Sequence, residues 1–244
     1  MIYSVPDVNS HGSLVTKAQL LLAALFPLFT IFALGIDSIA FSEHYFDGRF
    51  IANGLGIFYF ILMWYFAGSR LRLLMLVMVP LSYLGELIFC KLLGMYSYRT
   101  PAIPLYVPFG HAIVYASGYI FAYTDYALRN RLLFRKIFMA GFTLLFAGVA
   151  LVLHDIFSLF SGILFFLLLW RKKWQVVYFF IALCVIYIEL VGTFFRCWAW
   201  QPDIFGSIPT ANPPMGAVFY YAGGDVLLAK IADIWNRRKT HGIV

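Results

Sequence analysis

Charge is what this sequence lacks. Asp, Glu, Lys and Arg make up 12% of its 244 residues, against 63% hydrophobic ones. A soluble domain carries about a quarter charged residues to keep its surface wet. With a mean hydropathy of +0.85, the chain cannot cover itself that way and reads as an integral membrane protein. Cysteine is scarce too. Cys90, Cys184 and Cys197 follow no Cys-x-x-Cys or Cys/His spacing, and the five histidines are scattered, so no metal site can be read. Gly-x-Ser-x-Gly, P-loop and histidine-box patterns are missing, as is the alternating period of an outer-membrane barrel. Acidic residues number 11 against 18 Lys and Arg, a net charge of +7. The basic residues cluster at the ends of apolar runs, which points to anionic lipid headgroups and away from nucleic acid.

What is present is a series of long apolar runs. A spanning helix needs about 20 of them in a row, and eight segments reach or approach that length: 18–41, 50–69, 71–95, 107–128, 134–153, 155–170, 174–195 and 214–235. The first follows a polar stretch, 1–17, and is too long for a cleaved signal, so it reads as a retained span. Only His154-Asp155 separates the fifth from the sixth. The alternative is a seven-span chain that merges or re-enters there. In the eight-span reading, Lys17, Arg70, Arg72, Arg129, Arg131, Arg135, Lys136, Arg171, Lys172, Lys173, Arg237, Arg238 and Lys239 fall on one side, and Arg49, Arg99 and Arg196 on the other. The positive-inside rule makes the first side cytoplasmic, with both termini there, as in a bacterial inner membrane.

The two halves resemble each other. "GELIFCKLLGMYSYRTPAIPLYVPFGHAIVY" runs parallel to "IELVGTFFRCWAWQPDIFGSIPTANPPMGAVFY", which places Glu86 on Glu189. Each block has a Glu-Leu inside a span and an aromatic-x-aromatic pair (Tyr96/Tyr98, Trp198/Trp200). A proline-rich loop follows, then a glycine leading into the next helix (Gly110, Gly216). The expected architecture is all-α: two four-helix repeats of one orientation, 18–128 and 129–236, followed by a basic tail, 237–244.

Ionisable groups inside spans are expensive, so each raises a functional hypothesis. Glu86, Glu189 and His111 collect in the outer half of the bilayer, with Asp37 near the outer end of the first span. Asp225 lies near the middle of the last span behind Gly223-Gly224. Two readings stand for the glutamates: polar glue that pins the bundle, or acids in a low-dielectric cavity, suited to proton donation. The aromatic pairs can be an interfacial belt or faces that stabilise a carbocation. Asn212, with Pro213 after it, reads as the cap of the last helix. Lys230 lies near a cytoplasmic helix end and five residues from Asp225, which is not a same-face spacing, so a retinal-protein reading is rejected.

The two blocks resemble those of the carotenoid-biosynthesis membrane proteins that include bisanhydrobacterioruberin hydratase. The first block is carried by Glu86, "LGMYSY", Pro104 and Val107-Pro108, and the second by "RCWAW" and "GSIPTANPPMG". The departures are Leu93 in place of an aromatic, Arg196 in place of glycine, His111 in place of tryptophan, and one extra residue between Asn212 and Gly216. The resemblance covers about a quarter of the chain. It implies addition of water across a terminal double bond of a long polyene, without a redox cofactor.

The expected function is therefore a membrane enzyme acting on an isoprenoid or other lipid. Glu86 or Glu189 would donate a proton, the other carboxylate or Asp225 would orient water, and His111 would shuttle. Tyr96, Tyr98, Trp198, Trp200 and Asn212 would contact the substrate. The competing expectations are a proton-coupled lipid carrier, which duplicated halves also suit, and a non-catalytic scaffold.

Overall fold

The computed structural model describes residues 15–241, and side chains as far as residue 235. Most of the polar segment expected at 1–17 and the side chains of the basic tail from Arg237 onward lie outside the described residues. The rest is all-α apart from two small two-stranded antiparallel sheets. Helices α1 (Lys17–Ile36), α2 (Ile39–His44), α3 (Arg49–Phe66), α4 (Ser69–Glu86) and α5 (Tyr106–Ala122) form the first half. Helices α6 (Asp125–Arg129), α7 (Arg131–Leu153), α8 (Ile156–Arg171), α9 (Val176–Phe194) and α10 (Val218–His241) form the second. Strands β1 (Tyr96–Tyr98) and β2 (Trp198–Trp200) pair with each other, as do β3 (Asp203–Ile204) and β4 (Ile208–Pro209).

A long helix stands at each expected apolar segment. Counting the π-helical turn that prolongs α4, five among the described residues are long and apolar enough to cross a membrane: Lys17–Ile36, Arg49–Phe66, Ser69–Leu92, Arg131–Leu153 and Val176–Phe194. Their outward faces carry large apolar side chains such as Leu28, Phe50, Phe58, Leu144 and Phe194. Water does not tolerate such a surface, whereas hydrocarbon does.

Local chemistry sets the ends. Thr16 and Gln19 cap each other across the first turn of α1. The segment expected over 18–41 breaks at Asp37, because Ser38 caps the short α2. Likewise Thr124 ends the span near 122 by capping α6. The merged reading at His154-Asp155 does not hold. His154 takes left-handed backbone (φ 54°), and Asp155 caps α8 through the Ser158 amide at 2.8 Å, so α7 and α8 are separate helices. The Ser158 hydroxyl donates to Asp155 and accepts from the Gly216 amide at 2.8 Å, which ties this turn to the start of α10.

At the centre sits α5, which packs on α1, α3, α4 and α9. A Cβ on Gly118 would lie 2.5 Å from the Cα of Ile181, so only glycine lets α5 and α9 approach this closely. By contrast α7 is peripheral, with only Phe142 and Phe146 buried.

Candidate functional site

The site is built where α4 and α9 end. After Glu86 the α-helical ladder of α4 loosens into a π-helical stretch, Leu87–Leu92, a feature common at functional sites. Gly94, in left-handed backbone (φ 61°), then turns the chain back, and Met95 donates to the carbonyl of Phe89. After α9, Arg196 makes the corresponding left-handed turn (φ 56°), and Cys197 donates to Gly192. The two returning segments pair antiparallel, with Tyr96 opposite Trp200, Ser97 opposite Ala199 and Tyr98 opposite Trp198. The strand period of two puts all four aromatic rings on one face. Ser97 and Ala199 are exposed on the other.

That aromatic face turns toward the bundle interior and meets both carboxylates. Glu86 Oε2 accepts from the Tyr96 hydroxyl at 2.9 Å and the Tyr98 hydroxyl at 2.6 Å, and its Oε1 lies 3.1 Å from His111 Nε2. Glu189 Oε2 accepts from the indole N–H of Trp198 at 2.9 Å and of Trp200 at 3.0 Å, and its Oε1 accepts from the Tyr221 hydroxyl at 3.1 Å. Both carboxylates are buried. His111 and Tyr221 stack, ring centroids 4.8 Å apart and planes 11° from parallel, so the third ligand of one glutamate lies against the third ligand of the other. The two units meet across the antiparallel β1–β2 pair. A Cβ on Gly192 would fall inside the Trp198 ring, so the indole reaches Glu189 only because that residue is glycine.

The chemistry of the two units differs. An indole N–H donates and cannot accept. Two of them occupy Glu189 Oε2, so a proton on this carboxyl has room only on Oε1, facing Tyr221. Each partner of Glu86, a tyrosine hydroxyl or an imidazole, can accept as well as donate. Glu86 can therefore hold a proton on either oxygen and exchange it with His111.

A cavity of about 430 Å³ lies beneath the β1–β2 pair, within the range of small-molecule sites. Its lining includes Glu86, Glu189, His111, Tyr221, Trp198 and Trp200, among mostly apolar side chains. Asp225, one helical turn from Tyr221, also lines it. It is 3% exposed, and its Oδ2 has no hydrogen-bond partner.

Of the residues expected at the site, the structure brings together Glu86, Glu189, His111, Asp225, Tyr96, Tyr98, Trp198 and Trp200. The tryptophans are buried ligands of a carboxylate, so they are not a belt in the headgroup layer. Asn212 is a correction on two counts. It does not cap the last helix, which begins after a 3₁₀ turn at Met215–Ala217, and it is not part of the cavity lining. Its Oδ1 instead accepts from the Trp200 amide at 3.0 Å and so braces β2.

Tyr221 was missed. The sequence alignment sets Ala217 against His111, but the β3–β4 hairpin lengthens the second loop. The separation from glutamate to third ligand is 25 residues in the first unit and 32 in the second. A second unforeseen cluster centres on Asp37, which is fully buried. It accepts from Arg49 (3.1 and 3.3 Å), Arg99 (2.8 Å) and the Tyr106 hydroxyl (2.7 Å). Arg99 also pairs with Asp47, and that hydrogen bond holds the Asp47 carboxyl below its ordinary value. This cluster joins α1, α3 and α5 to the segment after β1.

The three cysteines are free and buried. Among the described residues, no three His, Cys, Asp or Glu side chains converge as metal ligands. Comparison with protein-family models, with curated proteins and with solved structures gave no match.

Proposed function

We propose that this chain is an integral membrane hydratase of isoprenoid, carotenoid-like polyenes, working by acid catalysis within the bilayer. The observation that carries the reading is the cavity. A site that only braced the bundle would need the hydrogen bonds of Glu86 and Glu189 but no space beside them. Here about 430 Å³ of mostly apolar volume adjoins both glutamates, with an unpartnered Asp225 oxygen in its lining.

In this mechanism Glu86, exchanging its proton with His111, protonates one carbon of a terminal carbon–carbon double bond. The positive charge develops on the neighbouring, more substituted carbon. It faces the aromatic rings of Tyr96, Tyr98, Trp198 and Trp200 and the Glu189 oxygen that the two indoles keep free of a proton. Water held by Asp225 adds to that carbon, and its surplus proton passes to Asp225 and back to Glu86. Alkene plus water becomes a tertiary alcohol, with no electrons exchanged and no cofactor called upon. The eight long helices would then cross the membrane as two repeats of one orientation, with both termini cytoplasmic in a bacterial inner membrane.

The test is conversion of an acyclic polyene by the purified protein in lipid nanodiscs, in water labelled with heavy oxygen. The expected product gains one labelled water. Glu86→Gln and Asp225→Asn lose this product, by about 10²- to 10⁴-fold for the acid, while remaining folded. An unchanged polyene with the wild-type protein overturns the reading. Flux of polyene between liposomes driven by a pH gradient, without chemical change, would mark a carrier instead.

A further inference from the structure

The cavity has a closed side and an open one. Where α1 lines it, Phe26, Thr30 and Ala33 are buried. Where α4 and α10 line it, Leu84, Ile88 and Leu227 are 52%, 38% and 47% exposed, although they belong to the same cavity wall. A residue that lines a cavity and also lies open to the outside stands at its mouth. The mouth is therefore on the flank of the bundle, along the seam between α4 and α10, and not at the β1–β2 end.

Glycines build that seam. Gly85 of α4 and Gly223 and Gly224 of α10 all line the cavity. A Cβ on Gly223 or Gly224 would meet nothing within 4 Å, and one on Gly85 would only touch the ring edge of Phe89 at 4.0 Å. Glycine is the poorest helix former after proline. At Gly118 a close backbone contact explains its use, but no such contact exists at Gly223 or Gly224. What these two residues leave is open width. In a chain whose outer faces are apolar, a flank opening rimmed by leucine and isoleucine faces lipid tails.

We infer that the seam between α4 and α10 is a lateral portal through which a long polyene passes from the bilayer, its reacting end inside the cavity and its remaining length outside among the lipids. This deepens the hydratase reading and takes the polyene as occupant from it. Gly223 and Gly224 then set the width of chain admitted. They act on binding and not on proton transfer.

Binding and turnover separate the two readings. Binding is measured from the absorbance shift of an acyclic polyene titrated into nanodiscs holding the full chain, and turnover from the mass gain of one water. Gly224→Phe and Gly223→Phe are expected to weaken polyene binding at least tenfold. Gly148→Phe is the control, because a Cβ there also meets nothing within 4 Å and that residue does not line the cavity. It should bind as the wild type does. A short terpene alkene with the same terminal double bond, which needs no outside tail, should lose less than the long polyene. Gly224→Ala, which suits a helix better than glycine, guards against misfolding of the larger variant and should weaken binding of the bulkiest polyenes first. Wild-type affinity in both phenylalanine variants, or no polyene binding by the wild type, overturns the portal. Binding that is lost in these variants while the wild type binds but never hydrates upholds the portal and overturns the hydratase.

Discussion

Replacing Glu189 tests whether the carboxylate holds the aromatic strand pair in place. Two substitutions give different ledgers. In Glu189→Gln the side-chain carbonyl can still accept both indole N–H groups, and the new amide can donate to the Tyr221 oxygen. What is lost is charge assistance: a bond to a charged group contributes about 1.5–3 kcal/mol and a neutral one about 0.5–1.5. Because the three bonds share one carboxylate, a net loss of about 1–2 kcal/mol follows. In Glu189→Leu both indole donors, which sit on rings 8% and 9% exposed, lose their acceptor in the interior. Each unsatisfied donor costs about 1–3 kcal/mol, while Tyr221 can turn its hydroxyl toward the cavity. The leucine variant should therefore be destabilised by about 3–5 kcal/mol. For a chain of this size that is a fall of roughly 6–20 °C in Tm, against about 2–8 °C for glutamine. Heating the protein in nanodiscs while following tryptophan emission reads this, with Trp198 and Trp200 two of the six tryptophans that contribute. Equal melting temperatures for the two variants would refute the claim that Glu189 secures the strand pair.

Other consequences follow from the same contacts. Asp37→Ala leaves Arg49 and Arg99 largely buried without their shared carboxylate and should destabilise by about 3 kcal/mol. Arg99 keeps Asp47, which places this at the low end, and denaturant titration in detergent would measure it. Asp47 has a carboxyl held below 3.8, so its stabilising contribution is present above that value and disappears as pH falls through the lowered one. Wild type and Asp47→Asn should thus differ slightly at neutral pH, since Asp47 is exposed, and converge in strong acid. Gly118→Val drives a side chain into the backbone of Ile181 and should cost about 3 kcal/mol or prevent folding. Normal stability in that variant would show that α5 and α9 pack differently.

How much of this was legible in the sequence depends on how far each signal reaches. The helices were legible because an apolar run of spanning length has few other outcomes, and Glu86 and Glu189 stood out because a carboxylate in such a run is conspicuous. Hydropathy gives depth and not direction. It set Trp198 and Trp200 just past the end of an apolar run but could not say that they point inward at Glu189. That direction comes from pairing with Tyr98 and Tyr96, a contact between segments about a hundred residues apart. Asn212 was misread because a polar residue before a proline ordinarily opens a helix, whereas here tertiary structure uses its carbonyl to hold Trp200. The Asp37 cluster escaped because its partners lie 12, 62 and 69 residues away. No local period links them.

The two glutamate units share a geometry, and their ligands divide the work. With tyrosines and a histidine around it, Glu86 has partners that pass a proton in either direction. With two indoles fixed on one oxygen, Glu189 can carry a proton only on the other oxygen, which faces Tyr221. The proposed hydration would use that difference: Glu86 gives up a proton, and Glu189 keeps one oxygen free of protons while the positive centre exists. Two tyrosine units would offer two mobile protons and no oxygen reserved as an acceptor, and two tryptophan units would offer the reverse. The exchange Trp198→Tyr with Trp200→Tyr should therefore leave Glu189 hydrogen-bonded, and the strand pair in place, yet lower hydration. A double variant that hydrates at the wild-type rate would show that the tryptophans serve packing alone.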